Sequence, residues 1–261
     1  MNISLIMGSW KRAKLLELGL WSLTRQKINY DLEIIVCNDY LPDETEKVCK
    51  QYSDKLNIKY VFTGKRNLNG TKWRSAGYAL NIGVKQSTGD IIILTCPEIV
   101  HLNNTINLTT KPLLNNKNIM TIGNCVYFDD TGNTIEFIQK TRTLDFSEDL
   151  LKEIQSDPEC KMAVQMPYCM GLWKQHYLDI RGYDEDFSGY ACEDNDFINR
   201  LKLKGLTYHK TEAKVIHLFH GNRCDSKIHW DNPMWAKNYN LFLERKNKII
   251  RNEDRNWGKL E

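Results

Sequence analysis

Along the first hundred residues, short apolar runs alternate with longer stretches whose apolar residues recur at helical spacing. Residues 3–7 read as a strand, and residues 14–26 as a helix carried by Leu15, Leu16, Leu18 and Leu23. Residues 33–37 (EIIVC) are apolar at nearly every position, the pattern of a strand covered on both faces. A helix over 43–52, a strand over 58–62, a helix over about 72–86 and a strand over 90–94 continue the alternation. Such a sequence of β-α units predicts an α/β fold with a mostly parallel central sheet flanked by helices. After Pro97 the pattern loosens into a helix over 105–115, a strand over 119–128, a polar turn at 129–133 and a helix over 147–154. Residues 162–182 read as irregular. A helix over 193–204 stops at Gly205, residues 215–219 form a last strand, and a basic amphipathic helix over 235–251 closes the chain.

Composition adds exclusions. The chain has 261 residues, of which 41% are hydrophobic and 26% charged, a globular profile. The 36 basic and 33 acidic side chains leave a net charge of +3, and no basic stripe with interleaved aromatics is present, so nucleic acid is not an expected partner. No run reaches the roughly 20 apolar residues that span a bilayer, and the apolar start is too short for a signal peptide. A cytoplasmic protein is expected. Eight scattered cysteines without a C-x-x-C pair then read as reduced core thiols.

Neither G-x-G-x-x-G nor G-x-x-x-x-G-K-[ST] occurs, so the first βα turn, MGSWKR at 7–12, must hold a ligand differently. Ligands of open parallel sheets sit at the carboxyl ends of the strands. That points to Gly8 and Ser9, to Asn38 and Asp39, and to residues 95–98.

The stretches SLIMGSWKRAKLLELGLWSL, EIIVCNDYLPDET and ALNIGVKQSTGDIIIL resemble the donor half of family 2 glycosyltransferases of the Rossmann-like GT-A fold. Over residues 1–220 the resemblance implies a donor half at 1–100, an acceptor-binding and catalytic half at 101–230, and a C-terminal segment at 231–261, all in a single domain. It implies a nucleoside diphosphate sugar as donor, most simply a UDP-sugar, and a glycan or lipid-linked glycan as acceptor. Asp39 would meet the base, with Gly8, Ser9, Arg12, Arg74 and Asn81 approaching the rest of the donor. Read without the resemblance, Asp39 is good turn chemistry, and Arg74 and Asn81 are a helix face.

The chain departs from the family where an Asp-x-Asp motif holds a divalent metal. The strand ends LTCPEI, with Thr95 and Pro97 at the two aspartate positions, leaving Glu98 as the carboxylate in place. A cap on the following helix is its plainer reading. Manganese or magnesium is therefore expected through Glu98 with His217, or next His220, of VIHLFH. Three residues apart, the two histidines are not expected to face the same way on an ideal strand.

The second half carries GYDEDFSGYACEDNDFINRLKLKG, which resembles the galactosyltransferase-like segment G-[FY]-D-E-x-F, W-G-x-E-D-x-D. Tyr190 and Ala191 replace the Trp-Gly, while Glu193, Asp194 and Asp196 stand at the acidic positions. Inverting transfer needs a base for the acceptor hydroxyl, and Asp194 is the candidate, with Glu193 orienting the acceptor. Helix capping alone accounts for one or two of these acids. The basic helix over 235–251 reads first as a solvated face over a packed stripe, with peripheral contact with the inner face of a membrane as the other reading. A glycosyltransferase-like binding module without turnover is the alternative from another class, and a sugar-nucleotide-forming nucleotidyltransferase is disfavoured because MGSWKR lacks the glycines that a triphosphate loop needs.

Overall fold

The computed structural model describes residues 1–39, 41–64, 75–127, 161–163, 167–189, 191–218, 220 and 233–260. Strands β1 (Asn2–Ser9), β2 (Asp31–Asn38), β3 (Ile58–Phe62) and β4 (Ile91–Thr95) alternate with helices α1 (Ala13–Thr24), α2 (Thr45–Tyr52) and α3 (Ala76–Gln86). They pair in parallel in the order β3-β2-β1-β4. Residues 34–37 are apolar throughout because both faces are covered: Ile34 and Val36 pack towards Leu16, Leu20 and Leu23 of α1, whereas Ile35 and Cys37 pack towards Leu80, Ile82 and Val84 of α3.

The chain then adds β5 (Ile99–His101), α4 (Thr105–Asn115), β6 (Ile119–Tyr127), β7 (Lys161–Ala163), β8 (Cys169–Trp173), α5 (Lys174–Asp179), α6 (Glu193–Leu203), β9 (Thr207–His217) and α7 (Pro233–Arg245). The sheet continues β4-β8-β6-β9-β5, with β7 on β6. Antiparallel pairings enter through β8, β7 and β5, while β6 and β9 run parallel, so parallel ladders carry most of the paired residues.

Three sequence expectations need correction. The described part of 162–182 is not irregular: CMGLW is a strand buried between β4 and β6, too short for periodicity to reveal, and a short helix follows it. The last strand starts at Thr207, not at 215, because its first half is polar and exposed at alternate positions. The terminal helix ends at Arg245, and Arg251 lies beyond it at 2% exposure, paired with Asp184 and Asp196. Arg251 is therefore removed from the basic face suggested for membrane contact. No described helix is long and apolar enough to cross a membrane. The turn at 129–133 and the helix at 147–154 lie outside the described residues. Gly205 does end α6, at a φ of +98° that other residues adopt at a cost.

Candidate active site

The ends of β1, β2 and β4 lie side by side, and hydrogen bonds fix the turns that follow them. The Lys11 N–H donates to Asp43 Oδ2 (3.0 Å), and Asp43 Oδ1 caps α2 through the Thr45 N–H (2.9 Å). The Asp39 N–H donates to Ser9 O (2.8 Å), and the Thr63 hydroxyl donates to Asp39 Oδ1. Asp39 is thereby held at the end of β2, 7% exposed.

Two donor-side candidates have other work. The Ser9 side chain is fully buried, its hydroxyl 3.2 Å from that of Thr45. Asn81 is also fully buried, and every polar valence is used: Nδ2 donates to Tyr183 O and Glu185 Oε1 (both 3.0 Å), and Oδ1 accepts from the Tyr177 hydroxyl (2.7 Å) and the Tyr183 N–H (2.8 Å). Asn81 is scaffold, tying α3 to the loop before α6, and nothing of it is left for a donor. Gly8 packs beneath α3, where a Cβ would come within 3.0 Å of Ala79 Cβ. Arg74 lies outside the described residues.

Glu98, His217 and His220 converge. Antiparallel pairing of β5 with β9 sets Ile99 opposite His217, and the Leu218 N–H donates to Glu98 O (3.0 Å). His217 ends β9, so the strand geometry that would separate it from His220 no longer applies. Nε2 of His217 lies 3.3 Å, and Nε2 of His220 3.4 Å, from Glu98 Oε1. Burial opposes ionisation of Glu98, but the hydrogen bonds from His217 and His220 outweigh it and hold the carboxyl well below its usual range. Glu98 Oε2 is buried without a hydrogen-bond partner among the described residues. A buried carboxylate oxygen left over beside two imidazoles is the arrangement a divalent cation would complete, and one donor atom from each residue lies within 4.8 Å of the others. Thr95, at a family aspartate position, is turned away and donates to Tyr168 O (2.8 Å).

Asp194 opens α6 beside Glu193 and Asp196, where the helix N-terminus favours negative charge. Burial pushes the Asp194 carboxyl up to about 6, against the opposing hydrogen bond from the Tyr183 hydroxyl (2.9 Å). Burial and then the charge of Asp194 push Glu193 higher still. Asp196 is different: it is fully buried and committed to Arg200 (2.6 Å) and Arg251 (2.7 Å). Ala191 and Cys192, just before the helix, have φ of +80° and +68°. These are left-handed values at the position where the related motif has Gly, and Ala191 holds its value at a strain of about 1 kcal/mol.

Cys96 links the two groups of acids. Burial first, then the charges of Glu98 and Asp194, raise its thiol far above the usual range, while Arg12 lowers it. Asp194, Glu98 and Arg12 therefore all act electrostatically on Cys96, just past the end of β4. Sequence reasoning missed Tyr183, which stacks on Phe197 (4.3 Å between centroids, 6° between planes) and aims its hydroxyl at Asp194. It fits because Gly77 of α3 leaves room: a Cβ there would fall 2.6 Å from Tyr183 Cβ. The Tyr of the quoted GYDEDF run was the available signal.

The fold is that of the GT-A glycosyltransferases. The glycosyl transferase family 2 profile matches residues 4–180, and the chain belongs to that family; the galactosyltransferase N-terminal domain profile matches 163–221. The chain is 23% identical over 236 residues to the chondroitin synthase of Pasteurella multocida, covering 79% of this chain but 23% of that protein. Its fold is shared with TarS of S. aureus in complex with UDP (TM-score 0.59, 15% identity, 95% of this chain and 74% of that one). It is also shared with the mannosyltransferase PcManGT of Pyrobaculum calidifontis in complex with GDP-Man and Mn2+ (TM-score 0.54, 14% identity, 82% and 56%).

Proposed function

We propose that the chain transfers a sugar from a UDP-sugar to a glycan hydroxyl with inversion, using Asp194 as general base. The observation that carries this reading is the Glu98-His217-His220 cluster just past the end of β4, with Asp194, held by the Tyr183 hydroxyl at the start of α6, acting on the same strand end through Cys96. A base whose pKa lies near the working pH takes the acceptor proton as the oxygen attacks. Glu193 is read as orienting the acceptor, and Asp39 as meeting the donor base. Glu98, His217 and His220 would hold a divalent cation, which supplies charge neutralisation to the diphosphate leaving group. Chondroitin synthase in the P. multocida relative, and UDP in the TarS complex, support a glycan acceptor and a UDP-sugar donor.

The loss of the aspartate pair at Thr95 and Pro97 favours a second reading, a binding module that holds a nucleotide without turnover. A panel of nucleotide sugars, with Mn2+ or with EDTA, tests the two readings. Consumption of one UDP-sugar that stops in EDTA supports the enzyme, whereas UDP binding without consumption of any donor supports the module.

A further inference from the structure

We propose that Arg12 competes with a divalent cation for His220, so that loading the cation releases the guanidinium towards the donor diphosphate; this rests on the cation site of the proposed function. Arg12 Nη2 lies 3.0 Å from His220 Nδ1. A guanidinium carries only donors, so Nδ1 accepts, the imidazole is neutral, and its proton sits on Nε2, the nitrogen that faces Glu98 Oε1.

A cation needs a lone pair from the same ring. If Nε2 is the ligand, its proton moves through solvent to Nδ1, and the new N–H points at a guanidinium N–H with no acceptor between them. If Nδ1 is the ligand, the cation takes the place of the guanidinium. Either route leaves the proton count of the neutral ring unchanged, and either displaces Arg12. A ligating histidine normally donates its second N–H to a carboxylate, a carbonyl or water, and Arg12 is none of these.

The displaced side chain has a destination. Arg12 follows a turn that is itself anchored, by Lys11 N–H to Asp43 and by the contact of Ser9 with Thr45, so only the side chain need move. A freed guanidinium at the end of β1 matches a diphosphate with two parallel hydrogen bonds. The cation and Arg12 would thus reach the donor together, and Arg12 would be withheld while the cation is absent.

The test uses the whole chain without nucleotide, titrated with Co2+ as probe. In Arg12→Gln the amide carbonyl can accept from Nδ1–H, so competition is lost, and Co2+ binds at least about tenfold more tightly than to the native chain. Arg12→Lys keeps a donor-only cation and stays within about threefold of native. Nitrogen NMR of the imidazole reads the same event, with His220 Nδ1 changing from acceptor to N–H, or to ligand, on adding Zn2+. With Co2+ present, Arg12→Gln weakens UDP binding about tenfold, and without Co2+ by less than about twofold. Equal Co2+ affinity in the native chain and Arg12→Gln overturns the competition while leaving the cation site standing. Equal loss of UDP affinity with and without Co2+ overturns the release. No Co2+ uptake by either protein overturns the proposal together with the cation site on which it rests.

Discussion

Replacing Tyr183 by Phe removes one oxygen and little else. The ring is fully buried and stacked on Phe197, and its hydroxyl donates to Asp194 Oδ1 at 2.9 Å. Burial and the Asp194 charge keep the phenol protonated, so it acts as a fixed donor that favours the ionised carboxylate. A hydrogen bond to a charged group contributes about 1.5–3 kcal/mol. Halved for a partly solvent-open carboxylate, and converted at about 1.4 kcal/mol per tenfold, this is roughly one pH unit. The acid limb of kcat/KM, expected near the about 6 to which Asp194 is raised, moves up by that amount. At pH 6 the native base is about half ionised and the variant about a tenth, so the variant is roughly fivefold slower there and nearly equal at pH 8. A kcat/KM profile from pH 4.5 to 8.5 reads this directly. An unmoved or lowered acid limb refutes the reasoning, as does a plateau that falls 100-fold, which would make Tyr183 a participant and not a positioning residue.

Other outcomes follow from the same geometry. Because burial raises the carboxyl of Glu193 in the folded state, its stabilising contribution is complete below the ordinary Glu range and is lost as pH rises through the raised value; Glu193→Gln should therefore melt about 2 °C higher at pH 8 and no higher at pH 4. Ala191→Gly relieves the left-handed strain at φ +80° and should raise Tm by roughly 1–2 °C, and a lower Tm would place the strain elsewhere. Arg251→Ala leaves Asp184 and Asp196 short of a buried partner and should cost about 3 kcal/mol, a fall of roughly 6 °C in Tm measured by calorimetry. Two imidazoles with one carboxylate suit Zn2+, Co2+ or Mn2+ better than Mg2+, so calorimetry should rank Mg2+ last, and Glu98→Gln should weaken binding at least about tenfold.

The donor half was legible because its signals are local. Continuous apolar runs such as 34–37 mark strands covered on both faces, and residues 58–62 and 105–115 match β3 and α4 at both ends. What stayed hidden depends on partners distant in sequence. Strand β8 is five residues whose place is set by β4 and β6, and β5 is three residues defined by pairing with β9. His220 lies past the end of β9, so strand periodicity says nothing of its direction, and its meeting with Glu98 arises from that same pairing. Asn81 looked available because the four groups that saturate it come from residues 177–185. The acids at 193 and 194 were readable as a cluster, but Asp196 separates from them through its buried pairs with Arg200 and with Arg251, and sequence periodicity had placed Arg251 on an exposed helix.

The central claim is that Asp194 takes a proton from the acceptor, and it is tested most directly by comparing Asp194→Asn with the native chain in two assays, single-turnover transfer from the accepted UDP-sugar and equilibrium binding of UDP. The account predicts a loss in transfer of at least about 100-fold with UDP affinity kept within about threefold. Transfer within about tenfold of native at pH 7.5 would contradict it and leave the carboxylate of Asp194 without the role assigned to it.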